Sequence, residues 1–125
     1  MIEGLARRAL KKESKVEFPD DADGDALRRV QANGSNMARP MDIDFHVTAP
    51  DGGAAEAIAA QARAQGFAAT ATRDDEVGAW TSTCTLRMVP AHDQIIAIQA
   101  RLDELSRPFG GETEGWGTFG NKGAA

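Results

Sequence analysis

Cysteine occurs once in the 125 residues, and no apolar run approaches the roughly 20 residues that a bilayer-crossing helix requires. A single thiol excludes an intramolecular disulfide and cannot by itself build a thiolate zinc site. The opening stretch MIEGLARRALKKESK lacks the continuous apolar segment and small-residue cleavage site of a secretory signal, so a cytoplasmic protein is expected. Catalytic patterns are missing as well. None of Ser14, Ser35, Ser82 or Ser106 lies in a G-x-S-x-G elbow. The glycines of GGETEGWG do not follow a strand and open a helix, as a phosphate-cradling loop must.

What is present is a chain of one-domain length with 42% apolar and 26% charged residues, an ordinary globular balance. The charge is unevenly spread. Residues 1–15 carry five Lys/Arg against two Glu, net +3, whereas residues 16–125 carry nine Lys/Arg against seventeen Asp/Glu, net −8. Phosphate backbones are gripped by clustered cations that release counterions, so the acidic body is poorly suited to bind nucleic acid directly. It is better matched to a basic partner, because complementary charge steers encounter and suppresses wrong contacts.

Periodicity supplies the elements. Asp21 or Asp23 can cap a short helix bearing Leu27 and Val30, ended near Gly34. MDIDFHVTA alternates strictly, with Met41, Ile43, Phe45 and Val47 on one face and Asp42, Asp44, His46 and Thr48 on the other, which predicts a half-buried strand. An alanine-rich helix around Ile58 follows, then a strand over FAATATR and another over residues 79–89, paired across DDEVG as an antiparallel hairpin. Pro90 stops that strand, and Ile95, Ile98, Leu102, Leu105 and Phe109 recur as the stripe of a core-facing helix. ETEGWGTF reads as a fourth strand, its glycines permitting a bulge or close backbone approach.

A leading helix followed by β, α, β, β, α, β is the order of a ferredoxin-like split βαβ sandwich, an α+β fold with both crossover helices on one face of a four-stranded antiparallel sheet. The expected organisation is a mobile tail over 1–20, basic and then acidic, a single domain over 21–120, and a flexible C-terminus over 121–125.

Candidate site residues cluster on the first and last strands. Asp42, Asp44 and His46 share one strand face, and Glu112 and Glu114 lie on a neighbouring strand, an oxygen-rich set of the kind that binds hard cations. The same alternation is also what the water-facing side of an antiparallel strand looks like. Cys84 alternates with Trp80 and Leu86 on an apolar face and reads as a small core group. Strict alternation through the last strand places Trp116 with Glu112, Glu114 and Thr118, on the polar side; a bulge reverses this and turns the indole into the core.

The run FGGETEGWGTF, a Gly-Gly pair, an acidic residue and then Gly-Trp-Gly-Thr-aromatic, resembles the signature of the regulator of ribonuclease E activity B family. DGDALRRVQANGSNMARPMDIDFHV resembles that family's lead-in of a short helix, a turn and a proline before the first strand. The resemblance covers about residues 22–119 and implies a ferredoxin-like fold and a non-enzymatic regulator without a cofactor. It also implies that the partner is ribonuclease E or a comparable RNA-processing enzyme. The expected contact surface is the open acidic sheet face, with Asp42, Asp44, His46, Glu114 and Trp116. The alternative is a small metal-dependent enzyme or metal-binding protein using Asp42, Asp44 and His46. RNA binding on the sheet, a third reading, lacks paired strand aromatics and a basic field.

Overall fold

The computed structural model describes residues 17–122. Helix α1 (Ala22–Ala32) precedes β1 (Met41–Ala49), α2 (Gly52–Ala64), β2 (Ala68–Arg73), β3 (Trp80–Met88), α3 (His92–Ser106), a 3-10 turn (Arg107–Phe109) and β4 (Glu112–Gly117). The strands form one sheet in the order β2-β3-β1-β4 with every neighbouring pair antiparallel. This is the expected α+β, ferredoxin-like arrangement, with β4 lying beside β1.

Local chemistry explains where the helices begin. Asp21 caps α1 by accepting from the Gly24 amide at 2.7 Å, and Asp51 caps α2 by accepting from the Ala54 amide at 2.8 Å. Each carboxylate satisfies one of the amides that a first turn leaves without a helical partner. Of the two aspartates that qualify by sequence as the α1 cap, Asp21 takes the role. α3 starts after Pro90 with no side-chain cap, and Asp93 in its first turn complements the helix dipole.

The core lies between the sheet and the helices. Met41, Ile43, Phe45 and Val47 of β1 are buried against Leu27, Ile58, Ala59, Ala62, Ile95, Ile98 and Leu102. Phe45 meets Phe67 edge to face, with ring centroids 6.4 Å apart. The alanines of α2 bring its backbone close to the sheet, where the buried Ser82 hydroxyl of β3 donates to the Ala55 carbonyl at 2.6 Å. Trp80 lies against the start of the same helix. A Cβ on Gly52 would stand 2.9 Å from its Cζ2, so this position tolerates only glycine without movement.

Residues 1–16 of the expected tail lie outside the described residues. Phe18 packs against the core and its carbonyl accepts from Arg28 Nη1 at 2.9 Å. At the other end, Asn121 joins the body: its amide Nδ2 donates to the Asn36 carbonyl at 2.9 Å, and its Oδ1 accepts from the Asn36 amide at 2.8 Å.

Candidate functional site

One face of the sheet carries the helices, and the other carries the sequence-predicted polar set. In register, Asp42 lies opposite Arg87, Asp44 opposite Thr85, His46 opposite Thr83, and Thr48 opposite Thr81. On the outer side of β3, Thr70 pairs with Thr83 and Thr72 with Thr81. Glu112 lies opposite Thr48 on the other edge. Thr48, Thr70, Thr72, Thr81, Thr83 and Thr85 therefore floor a platform bordered by Asp42, Asp44, Glu112 and Glu114. All of these side chains are exposed or half-buried, so the face is unroofed among the described residues.

The floor is held by short cross-strand contacts. Thr85 Oγ1 donates to Asp44 Oδ1 at 2.5 Å, which fixes the carboxylate of Asp44 against β3. Thr48 Oγ1 donates to the Glu112 carbonyl at 3.2 Å. His46 Nδ1 lies 3.5 Å from Thr83 Oγ1. Arg87 and Asp42 form an ion pair at 3.5 Å with both side chains largely in water, a contact that contributes little to stability.

Trp116 is not on this face. The register between β1 and β4 shifts between Phe45 and Val47: Thr113 pairs with Val47 and Trp116 with Phe45, leaving Glu114 and Gly115 together opposite His46. Gly115 has φ +103°, a conformation that a Cβ disfavours, and it supplies the extra residue of the bulge. One inserted residue inverts the alternation beyond it. The indole consequently packs against the core, and its Nε1–H donates to Asp23 Oδ1 at 2.8 Å. Asp23 also accepts from Gln99 Nε2 at 3.2 Å, so one carboxylate ties β4, α1 and α3 together. The expectation of Trp116 on the open face is thereby corrected, while Asp42, Asp44, His46 and Glu114 do share that face.

The chemistry available to the platform is limited. Asp42, Asp44 and His46 succeed each other at two-residue steps, so their backbones are spread at roughly 6.5 Å intervals along the strand. A cation with ligands at about 2.0–2.6 Å cannot collect such a row without help from other strands. Among the described residues no group of three or more His, Cys, Asp or Glu is arranged to hold a metal ion. The strand aromatics Phe45, Trp80 and Trp116 belong to the helix side, which leaves the His46 imidazole as the one strand ring on the platform among the described residues, short of the paired aromatics on which successive bases stack. Cys84 is fully buried, and desolvation pushes its thiol up to about 11, away from nucleophile chemistry. Among the described residues no helix is long and apolar enough to cross a membrane.

Two features escape a residue-by-residue reading of the sequence. The threonine floor was visible as period-two threonines in AATATR and WTSTCTLRM, but it acquires meaning only when the register stacks them on one face. Asp23, read there as a possible helix cap, is instead the acceptor for Trp116, a contact spanning ninety-three positions that no local pattern announces.

No curated protein matches the chain. A comparison with known protein families matches residues 20–118, from the residue before the α1 cap to the residue that follows β4, to Regulator of ribonuclease activity B (RraB). With most of its length so matched, the chain belongs to the RraB family, Regulator of ribonuclease activity B.

Proposed function

We propose that this protein is a non-enzymatic regulator that binds ribonuclease E, or a related RNA-processing enzyme, through the open sheet face, with Asp42, Asp44, His46 and Glu114 in the contact. The observation that carries the reading is the platform itself. It is unroofed among the described residues and edged by Asp42, Asp44, Glu112 and Glu114 with Arg87 at one corner. A surface of this sign suits an Arg/Lys-rich protein segment and repels a phosphate backbone. Family membership supports a ribonuclease as the target. The threonine floor offers methyl groups and hydroxyls together, so it accommodates an extended or helical segment without a deep pocket.

Titration of purified ribonuclease E with the full chain tests this. Binding is expected to weaken between about 50 and 300 mM salt, as contacts between exposed charges do, and to be lost in the Asp44→Lys plus Glu114→Lys variant. In the same assay the protein changes the rate of RNA cleavage by the ribonuclease and leaves RNA intact when alone. Undiminished binding by the double variant would remove this surface from the mechanism.

A further inference from the structure

Phe119, one residue beyond the family match, is the most exposed large apolar side chain among the described residues, with a relative accessibility of 101%. An exposed aromatic in a loose terminus would mean little. Here the backbone on both sides is pinned. Thr118 Oγ1 donates to the Asp42 carbonyl at 2.6 Å and accepts from the Gly120 amide at 2.9 Å. Asn121 follows, its amide nitrogen donating to Ser35 Oγ at 3.2 Å and its side chain clasping Asn36. The ring is therefore presented on an ordered segment and stands clear of the described residues of its own chain.

Its place relative to the platform follows from the same bonds. Thr118 is anchored to Asp42, and Gly117 pairs with Asp44, so Phe119 leaves the sheet at the corner where the carboxylates of β1 begin. Interfaces commonly combine a preorganised aromatic anchor with a surrounding charged rim, and most of the binding energy resides in the anchor. We propose that Phe119 is the apolar anchor of the partner contact, inserting into an apolar pocket bordered by Arg or Lys on the ribonuclease. This rests on the reading above and adds what the platform lacks, because threonines and carboxylates provide charge and shape but no large buried area. A nucleobase is the less suitable occupant for the ring, since its phosphates would face Asp42 and Asp44.

The test compares wild type, Phe119→Ala and the Asp44→Lys plus Glu114→Lys variant for binding to purified ribonuclease E, with thermal melting of each. Phe119→Ala is expected to melt as wild type does and to bind at least about 30-fold more weakly, the threshold of a hot-spot truncation. Binding of Phe119→Ala within twofold of wild type, while the charge variant loses it, overturns the anchor and leaves the platform standing. No binding by wild type overturns the platform reading and the anchor with it. Loss of self-association or of oligoribonucleotide binding in Phe119→Ala, with ribonuclease affinity unchanged, assigns the ring to a second copy or to RNA and equally overturns the proposal.

Discussion

The indole Nε1–H of Trp116 donates to Asp23 Oδ1 at 2.8 Å, fastening the last strand of the sheet to the first turn of α1. The bond links the two ends of the described chain through a side chain that also packs on the core. Hydrogen bonds to charged acceptors contribute more than neutral ones, and leaving a half-buried acceptor without its donor adds a desolvation cost. Trp116→Phe keeps an aromatic ring but removes the donor and part of the indole that packs on the core, so a loss of at least about 1–2 kcal/mol is expected in urea unfolding. A double-mutant cycle with Asp23→Ala should return a coupling of about 1 kcal/mol, and a coupling of zero would show that the contact contributes nothing.

The glycines of the GGETEGWG run should differ sharply in what they tolerate. Gly115→Ala places a Cβ in open space but at φ +103°, so its cost, about 1–2 kcal/mol, is purely conformational. Gly111→Ala would bring the new carbon to 2.8 Å from both Ile58 Cδ1 and Ser106 Cβ, an overpacking cost of about 1–3 kcal/mol. Gly117→Ala meets nothing within 4 Å and has no left-handed φ, so it should be close to neutral. Equal effects at all three positions in a denaturation series would contradict this division.

That division also marks how far residue patterns carried the reading. Alternation in MDIDFHVTA was sufficient to assign both faces of β1, because hydrophobic and charged groups there differ so much in transfer energy that a one-residue slip is forbidden. The same rule fails in β4. Glycine-rich segments constrain register weakly, and whether a bulge falls at Gly115 or Gly117 depends on which placement lets Trp116 reach Asp23 and Phe45, partners supplied by distant parts of the chain. Thus Asp42, Asp44, His46 and Glu114 were legible on one face, whereas Trp116 moved to the core side once the bulge was in place.

Asp21 gives the fold an acid-sensitive joint. Its carboxyl is held below the ordinary value of 3.8, first by the hydrogen bond from the Gly24 amide and further by the hydrogen bond and charge of His92 and the charge of Arg28, with desolvation opposing. His92 Nε2–H donates to Asp21 Oδ2 at 2.8 Å, joining the starts of α1 and α3. A depressed carboxylate favours the fold fully above its unfolded value, and the contribution disappears as pH falls through the folded value. Urea midpoints should therefore decline below about pH 4. Asp21→Asn keeps a competent cap but no titrating charge, so its decline over that window should be shallower. Identical acid limbs for the two proteins would exclude Asp21 as a contributor.

Cys84 offers a reading of the core that is independent of any partner. The thiol lies on the helix side of β3, paired with Phe45 across the sheet and fully buried. Burial raises its pKa from 9.0 to about 11, so at pH 8 very little thiolate exists even where a reagent gains entry. Both barriers vanish together on unfolding. A thiol-directed reagent at pH 8 is expected to label the native protein only through global opening, at a rate set by the population of the open form, and labelling should become rapid across the same urea transition that reports the loss of structure. Destabilising the Trp116 to Asp23 fastening with Trp116→Phe should accelerate native-state labelling about tenfold for each 1.4 kcal/mol of stability lost, since the population of the open form sets the rate. Fast labelling of the wild type without denaturant would mean that β3 opens locally, and the sheet would then be too loose to present a fixed acidic platform.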